Sequence, residues 1–279
     1  MIFTRRGINL DSYPAIGRYL DQFRERLEAK PADWSGENWS GRKTGSYEWY
    51  EIQDSIDYWP LFERPKIIYQ EIQFHPQYAF DSQGLFTNNK VFLIPTADPY
   101  LLAVLNSPLM WWYNWRYLPH MKDEALSPKG ESMELLPIAT PTEEIRAEAR
   151  AAVSDLIGLT GERKETAKAV LDWLRLEFEI EVPGQSLSEF WTLAEDVFLR
   201  EVKQRRSHSA ARLSPAALRE LQKSYEEYTP RIRNLNSAAE RLERRLSDLV
   251  NVAYGLTPEE VALLWETAPP RMPIPRQSA

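Results

Sequence analysis

The sequence predicts an α+β protein in which an antiparallel sheet with flanking helices is followed by an all-α helical bundle. Between residues 63 and 95, short runs of β-branched and aromatic residues alternate with turn residues, which is typical of antiparallel strands. Over residues 140–268, Ala, Leu, Glu and Arg recur with helical spacing. We therefore expect a first domain over residues 1–139, a helical region over 140–268 and a flexible Pro-rich tail over 269–279.

The first domain is expected to open with an amphipathic helix. Ser12 can cap it and Pro14 suits its first turn. Apolar residues then recur at helical spacing on one face, namely Ile16, Tyr19, Leu20, Phe23 and Leu27. Residues 31–46, which are rich in Gly, Ser and Trp, are predicted to form an exposed loop.

Three strands are predicted next, over residues 66–73, 78–81 and 86–94. Gly84 lies in the turn between the last two, where it can adopt positive φ. A helix over residues 100–106 follows, started by Asp98 or Thr96. Pro108 breaks it, and a second helix continues over residues 109–117.

Hydroxyl residues predict where the helices of the second region begin. Three segments have the capping-box spacing, in which a hydroxyl precedes a carboxylate by three residues, and a fourth pairs Ser with Pro. They are Thr140–Glu143, Ser186–Glu189, Thr257–Glu260 and Ser214-Pro215. Apolar residues over 187–202 predict one helical stripe. Those from Leu235 to Ala253 have coiled-coil spacing, but the run is too short to require a dimer, so we expect packing within one chain. Gly255 suits a left-handed cap.

Composition excludes several classes of site. The chain has 279 residues, no Cys and only three His, at positions 75, 120 and 208, so cysteine chemistry is excluded and a His-rich metal site is disfavoured. The net charge is −7, and neither half of the chain is basic, so a DNA-binding face needs uneven charge. No segment has the apolar length of a membrane span, and we expect a soluble cytoplasmic protein.

Catalytic motifs are missing from the sequence. Methyl transfer to adenine N6 needs a Gly-rich turn for S-adenosylmethionine and an Asn/Asp-Pro-Pro-aromatic loop for the flipped base. The nearest segments, Asp98-Pro99-Tyr100 and Asn106-Ser107-Pro108-Leu109, lack the double Pro and the aromatic residue. Glu162-Arg163-Lys164 has the letters of a nuclease motif but lies in a charged helical stretch.

Five segments of the first domain occur in the order of a known family. They are Tyr13–Ile16, Pro65–Tyr69, Phe86–Asn89, Tyr100–Ser107 and Leu135–Ile138. This succession resembles the C-terminal specificity (target-recognition) domain of TaqI-like and Eco57I-like adenine-specific DNA methyltransferases and type IIG restriction–modification enzymes. The helical remainder resembles the C-terminal extension of large enzymes of this kind.

The resemblance implies a sequence-specific module that reads double-stranded DNA for a restriction–modification or phage-defence methyltransferase. The catalytic domain or subunit, with its S-adenosylmethionine, would be a partner, since the family has a long catalytic half where this chain begins. A split, truncated or separately encoded module is therefore expected. Two alternatives stay open: a helical scaffold that docks a methyltransferase or nuclease subunit, and a gene remnant without function alone.

Exposed loops supply the expected DNA contacts, with cations on phosphates and amides on base edges. The candidates are Arg42, Lys43, Asn88, Asn89, Lys90, Arg116, His120, Lys122 and Lys129. Each has a simpler interpretation: solvated charges for the cations and an ordinary turn for Asn88-Asn89. The aromatic cluster over residues 111–117 is expected to be mostly core, with stacking on an extruded base as the alternative.

Overall fold

We describe a computed structural model of the chain over residues 2–206 and 213–276; His208 lies outside this range. The chain forms two compact units. One comprises Met1–Arg64 with Gln83–Phe86, and the other comprises Pro65–Ser82 with Thr87–Ala279. These units do not test the functional boundary at residue 139, which stays a prediction.

The first unit contains two short helices, α1 (Pro14–Asp21) and α2 (Arg24–Leu27). The predicted single helix is thus broken near Phe23, and Tyr13 rather than Ser12 occupies the N-cap. None of the residues of either helix is buried. Tyr19 is 51% exposed, so the apolar face that the spacing predicts is open to solvent within this unit.

The second unit begins with the predicted antiparallel sheet. Its strands are β1 (Lys66–Gln70), β2 (Tyr78–Asp81) and β3 (Val91–Ile94), in the order β2-β1-β3. Ile68 of β1 lies opposite Ala79 of β2 and Leu93 of β3. β3 is shorter than predicted because the polar residues at 88–90 form a turn, and β1 ends at Gln70, after which residues 71–73 contact the loops at positions 90 and 126. The architecture is α+β.

Eight further helices complete the described part of the second unit. They are α3 (Pro99–Leu105), α4 (Pro108–Tyr117), α5 (Gly130–Glu134), α6 (Glu143–Phe178), α7 (Gly184–Ser188), α8 (Glu195–Arg205), α9 (Pro215–Ala253) and α10 (Pro258–Glu266). A first hydrophobic cluster joins the sheet to α3, α6 and α9 through residues such as Ile67, Val104, Val153 and Leu249. Burial of these apolar side chains is the main force that fixes the sheet against the helices.

Helices α6 and α9 form a long antiparallel pair. Ion pairs join Glu148 to Arg245 and Glu162 to Arg231, as the antiparallel arrangement allows. The apolar spacing of α9 is therefore used within one chain, as predicted. A second cluster, separate from the first, lies at the other end of the pair and includes Leu174, Phe190 and Phe198.

Several predicted helix boundaries are confirmed and others are wrong. The Thr257–Glu260 capping box and the Ser214 cap are present, and Gly255 has φ +67°. Helix α6 begins after Thr142 rather than Thr140. Residues 187–202 do not form one helix, because the chain is extended at Leu193 and divides the stripe between α7 and α8. Ser186 consequently lies inside α7 instead of capping a helix.

The described part of the Pro-rich tail is packed, in contrast to the flexibility that its composition predicts. Ile274 is 6% exposed, and Met272 packs against the buried cluster of Trp111, Leu118 and Leu126. The indole Nε1 of Trp111 donates to the Pro270 carbonyl at 3.0 Å. Prolines cannot donate from their own nitrogen, but their carbonyls still accept hydrogen bonds, and this one holds the tail.

Candidate nucleic-acid interface

The residues that follow β1 hold two loops of the second unit close together. The Glu71 N–H donates to the Lys90 carbonyl at 2.9 Å. Two residues later, Gln73 exchanges two backbone hydrogen bonds with Leu126. The turn at 88–90 and the loop at 119–129 therefore both contact the segment 71–74. We call the exposed residues of these three segments the loop surface.

The Asn88–Lys90 turn is closed by its own polar groups. The Asn88 Oδ1 accepts from the Lys90 N–H at 3.0 Å, which is the Asx-type turn that Asn favours. The Lys90 ammonium lies 2.8 Å from a carboxylate oxygen of Glu71. Asn89 is exposed, and its side chain has no hydrogen bond to another described residue. Asn89 is therefore the member of this turn with the most unused hydrogen-bonding capacity.

The loop over residues 119–129 is anchored at its base. The Met121 N–H donates to the Ala125 carbonyl, and the Ser127 N–H donates to the Pro119 carbonyl. At its tip, Asp123 and Glu124 both have φ of 60°, in the left-handed region that side chains with a Cβ rarely occupy. Such backbone strain persists only where the surrounding structure imposes it, and it is concentrated at functional positions.

Cations around this loop differ in how fully they are engaged. Arg116 lies over the Trp112 ring and donates to the carbonyls of Trp112 and Thr267, each at 2.9 Å, so it closes the end of α10. One ring nitrogen of His120 lies 2.7 Å from the Trp115 carbonyl. Lys122 and Lys129 are exposed, and neither ammonium forms an ion pair or hydrogen bond with a residue that the structure describes.

The first unit contains the remaining two candidates. Arg42 is fully engaged by neighbouring residues, whereas Lys43 is not. Arg42 donates to four backbone carbonyls, those of Leu27, Glu48, Trp49 and Glu51. Partial burial of its guanidinium lowers the pKa of Arg42, although nearby Tyr47 partly offsets this effect. Lys43 is exposed. Arg42 therefore holds the loops of this unit together, while Lys43 presents its charge to solvent.

The two segments whose sequences are most similar to a catalytic loop cap helices. Asp98 caps α3 by accepting from the Tyr100 N–H at 2.9 Å, and Ser107 caps α4 by accepting from the Met110 N–H at 3.1 Å. Residues 2–206 and 213–276 contain no group of three or more His, Asp or Glu placed to hold a metal ion. Over the same residues, no helix has the length and apolarity to cross a membrane.

A cavity of about 770 Å³ lies elsewhere in the second unit, between β2, α3, α6, α9 and the tail. Apolar residues dominate its lining, together with Asn106 and Glu243. Burial raises the pKa of Glu243, and the neighbouring carboxylate of Glu240 adds to this shift. None of the nine predicted DNA contacts lines the cavity.

Sequence reasoning missed three exposed residues of this region. Ile72 and Phe74 follow β1 and are 38% and 43% exposed, and Met121 in the loop is 48% exposed. The predicted strand over residues 66–73 included Ile72 and ended just before Phe74, since its alternation does not reveal where pairing stops. Residue 71 is hydrogen-bonded to residue 90, and residue 73 is hydrogen-bonded to residue 126. These partners are distant in sequence.

The second unit combines a small antiparallel sheet, two polar loops beside it and an all-α region. Residues 13–138 match the family model of the TaqI-like C-terminal specificity domain, which confirms the resemblance over that segment. Residues 142–250 match the model of a domain of unknown function (DUF8810). No curated protein matches the chain. The segment 13–138 is thus similar to the specificity domain with which methyltransferase-type systems recognise DNA.

Proposed function

We propose that this chain is the sequence-specific recognition module of an adenine-N6 DNA methyltransferase in a restriction–modification or phage-defence system. The protein would be cytoplasmic, and its target would be double-stranded DNA. The observation that supports this most directly is the meeting of the turn at 88–90 and the loop at 119–129 on the segment 71–74. Loops held on a sheet can enter a groove while the sheet fixes their spacing.

The free side chains of the loop surface suggest how it would hold a duplex. The ammonium groups of Lys122 and Lys129 are positioned for phosphates, which give affinity without sequence preference. Asn89 is suited to base edges, where a free Asn pairs bidentately with adenine, and the amide nitrogen of Asn88 could donate beside it. Lys43 belongs to the first unit and would be a phosphate contact separate from the loop surface. Arg42, Lys90, Arg116 and His120 would contribute mainly by holding their loops in place.

Methyl transfer would belong to a partner catalytic domain or subunit, and S-adenosylmethionine would bind there. The sequence of this chain lacks the two loops that such chemistry requires, and the two nearest segments cap helices. Under this proposal the chain determines where the partner acts. A single-polypeptide arrangement of the type IIG kind and a two-subunit arrangement would both use the same recognition surface.

A duplex-library titration of the full chain, with and without its partner methyltransferase, tests the proposal. We expect selective enrichment of one short sequence, and we expect Lys122→Ala with Lys129→Ala to weaken binding to all duplexes. The matched control is Lys203→Ala with Lys223→Ala, since both of these lysines are exposed but lie in α8 and α9, far from the loop in the fold. Equal weakening by the two double variants would contradict the assignment of the surface.

A second candidate function is a scaffold for a catalytic subunit. The observation that favours it is the separate hydrophobic cluster at the distal end of the α6–α9 pair, near which Leu176 and Val182 are 70% and 74% exposed. Exposed aliphatic residues of this kind are found at protein interfaces. Binding of the chain to the methyltransferase but to no duplex would favour the scaffold over the recognition module.

A further inference from the structure

The C-terminal tail passes directly beside the loop surface. On one side of Arg271, the Pro270 carbonyl accepts a hydrogen bond from Trp111. On the other side, Met272 packs on the cluster that contains Leu126, the residue that anchors the 119–129 loop to Gln73. The position of Arg271 is therefore fixed from both neighbours, although it lies far beyond residue 138, where the specificity-domain match ends.

Arg271 bridges two parts of the loop surface. Its guanidinium carbon lies 5.0 Å from the centroid of the exposed Phe74 ring. Its Nη1 lies 3.4 Å from the Asp123 carbonyl, a long hydrogen bond at the tip of the loop. A guanidinium over an aromatic face is held in place by cation–π attraction while its edges stay available for donation.

Backbone strain is concentrated at the same place. Four non-glycine residues of the described chain have positive φ, and three of them are Asp123, Glu124 and Arg271. The Arg271–Asp123 hydrogen bond joins the two strained segments. A left-handed conformation at a residue with a Cβ costs about 1 kcal/mol or more, so its occurrence on both sides of one contact indicates a functional constraint.

We propose that Arg271 is a DNA-contacting residue of the loop surface, where it donates to a backbone phosphate beside the contacts of Lys122 and Lys129. This inference rests on the proposed function and adds the tail to the interface. Of the five guanidinium donors, only one is used by another described residue, and the side chain is exposed. The Phe74 ring orients the guanidinium before DNA arrives, which reduces the entropy lost on binding.

Salt-dependent binding of the full chain to its selected duplex tests this inference. For Arg271→Gln we expect affinity to fall several-fold on every sequence alike, and the slope of log K against log salt to decrease by about 1, which is the effect of one lost phosphate contact. Arg276→Gln is the matched control, because it removes the same charge from the same exposed tail outside the Phe74–Asp123 contact. It should leave the slope close to that of the wild type.

Arg271→Lys separates a contact role from a structural one. It keeps the charge, so the salt slope should remain near the wild-type value even if affinity falls. A decrease in thermal stability for both variants with an unchanged slope would overturn the inference, as would equal slopes for Arg271→Gln and Arg276→Gln. Absence of duplex binding by the wild-type chain would instead overturn the proposed function, so the two failures are distinguishable.

Discussion

Gln73 and Leu126 exchange two backbone hydrogen bonds, with N-to-O distances of 2.9 and 2.8 Å. Both residues are 1% exposed, so this pairing lies in the interior of the second unit. It anchors the loop that carries Lys122 and Lys129 to the segment that leaves β1. The candidate DNA contacts are therefore carried by a loop with a fixed base.

Leu126→Ala tests this anchor. The substitution leaves a cavity beside Trp111 and Leu118, and we expect the free energy of unfolding to fall by about 3 kcal/mol. Urea denaturation followed by circular dichroism measures the change. Leu135→Ala is the control, since Leu135 is 80% exposed and its loss should change stability by less than about 0.5 kcal/mol. Equal effects of the two substitutions would show that the loop is not anchored through Leu126.

Arg42→Lys tests the structural role of this arginine in the first unit. The Arg42 donors lie 2.6 Å from the carbonyls of Leu27 and Glu51, and a lysine cannot reproduce this fork. We expect the opening free energy of residues 42–52 to fall by about 2 kcal/mol, which is about a 30-fold loss of amide protection in hydrogen exchange. Lys43→Arg should leave the protection unchanged. Unaltered protection in Arg42→Lys would remove the structural role.

Tyr100 and Tyr254 both pack in the first hydrophobic cluster, so substitutions by Phe at the two positions can be compared. The Tyr100 hydroxyl is buried and has no hydrogen-bond partner among residues 2–206 and 213–276, whereas the Tyr254 hydroxyl donates to the Pro137 carbonyl at 2.7 Å. Tyr100→Phe should therefore raise the free energy of unfolding by about 1 kcal/mol, and Tyr254→Phe should lower it by a similar amount. Thermal denaturation compares the two. A loss of stability in Tyr100→Phe would reveal a partner for that hydroxyl.

Gly158→Ala measures how much a glycine within α6 lowers the free energy of unfolding. A Cβ at this position would contact no atom within 4 Å, so the substitution should stabilise the chain by up to about 1 kcal/mol. Gly255 is equally open but has φ +67°, so Gly255→Ala should destabilise the chain by about 1–2 kcal/mol. Opposite signs in chemical denaturation are the expected result. Destabilisation by Gly158→Ala would contradict the open space beside this glycine.

Buried tyrosines predict an alkaline limit to stability. Burial raises the pKa of Tyr69 and of Tyr100 to about 12 from an ordinary value of 10.0. Because the folded state holds these protons more tightly, their contribution to stability is complete below pH 10 and is lost as the pH rises from 10 to 12. Urea denaturation at successive pH values measures this loss. Stability that stayed constant up to pH 12 would contradict the burial of these hydroxyls.

Local signals in the sequence were sufficient for part of the fold. Asp98, Ser214 and the Thr257 capping box begin helices because a cap depends on residues only two or three positions apart. The strand β2 has its predicted bounds, since turn residues enclose a short run that contains Tyr78 and Phe80. Boundaries that depend on tertiary packing were missed. Ser186 has a capping sequence, but burial of Phe190 redirects the chain into a new helix.

Less of the candidate site than of the fold could be predicted from the sequence. Exposure of Lys43, Lys122 and Lys129 follows from their polar surroundings. The four carbonyls around Arg42 come from residues 27–51, and no local pattern predicts their convergence. Arg271 lies about 150 positions from Asp123, and its Pro-rich context predicted a flexible tail. Contacts between segments this far apart are decided by packing, which the residue pattern does not specify.

Hydrogen exchange of the full chain, with and without its selected duplex, tests the central claim most directly. The account predicts that the duplex protects amides in residues 71–74, 88–90 and 119–129, while amides in α8 and the first half of α9 exchange at unchanged rates. Protection confined to the helical region would contradict it, as would the absence of any sequence-selective complex.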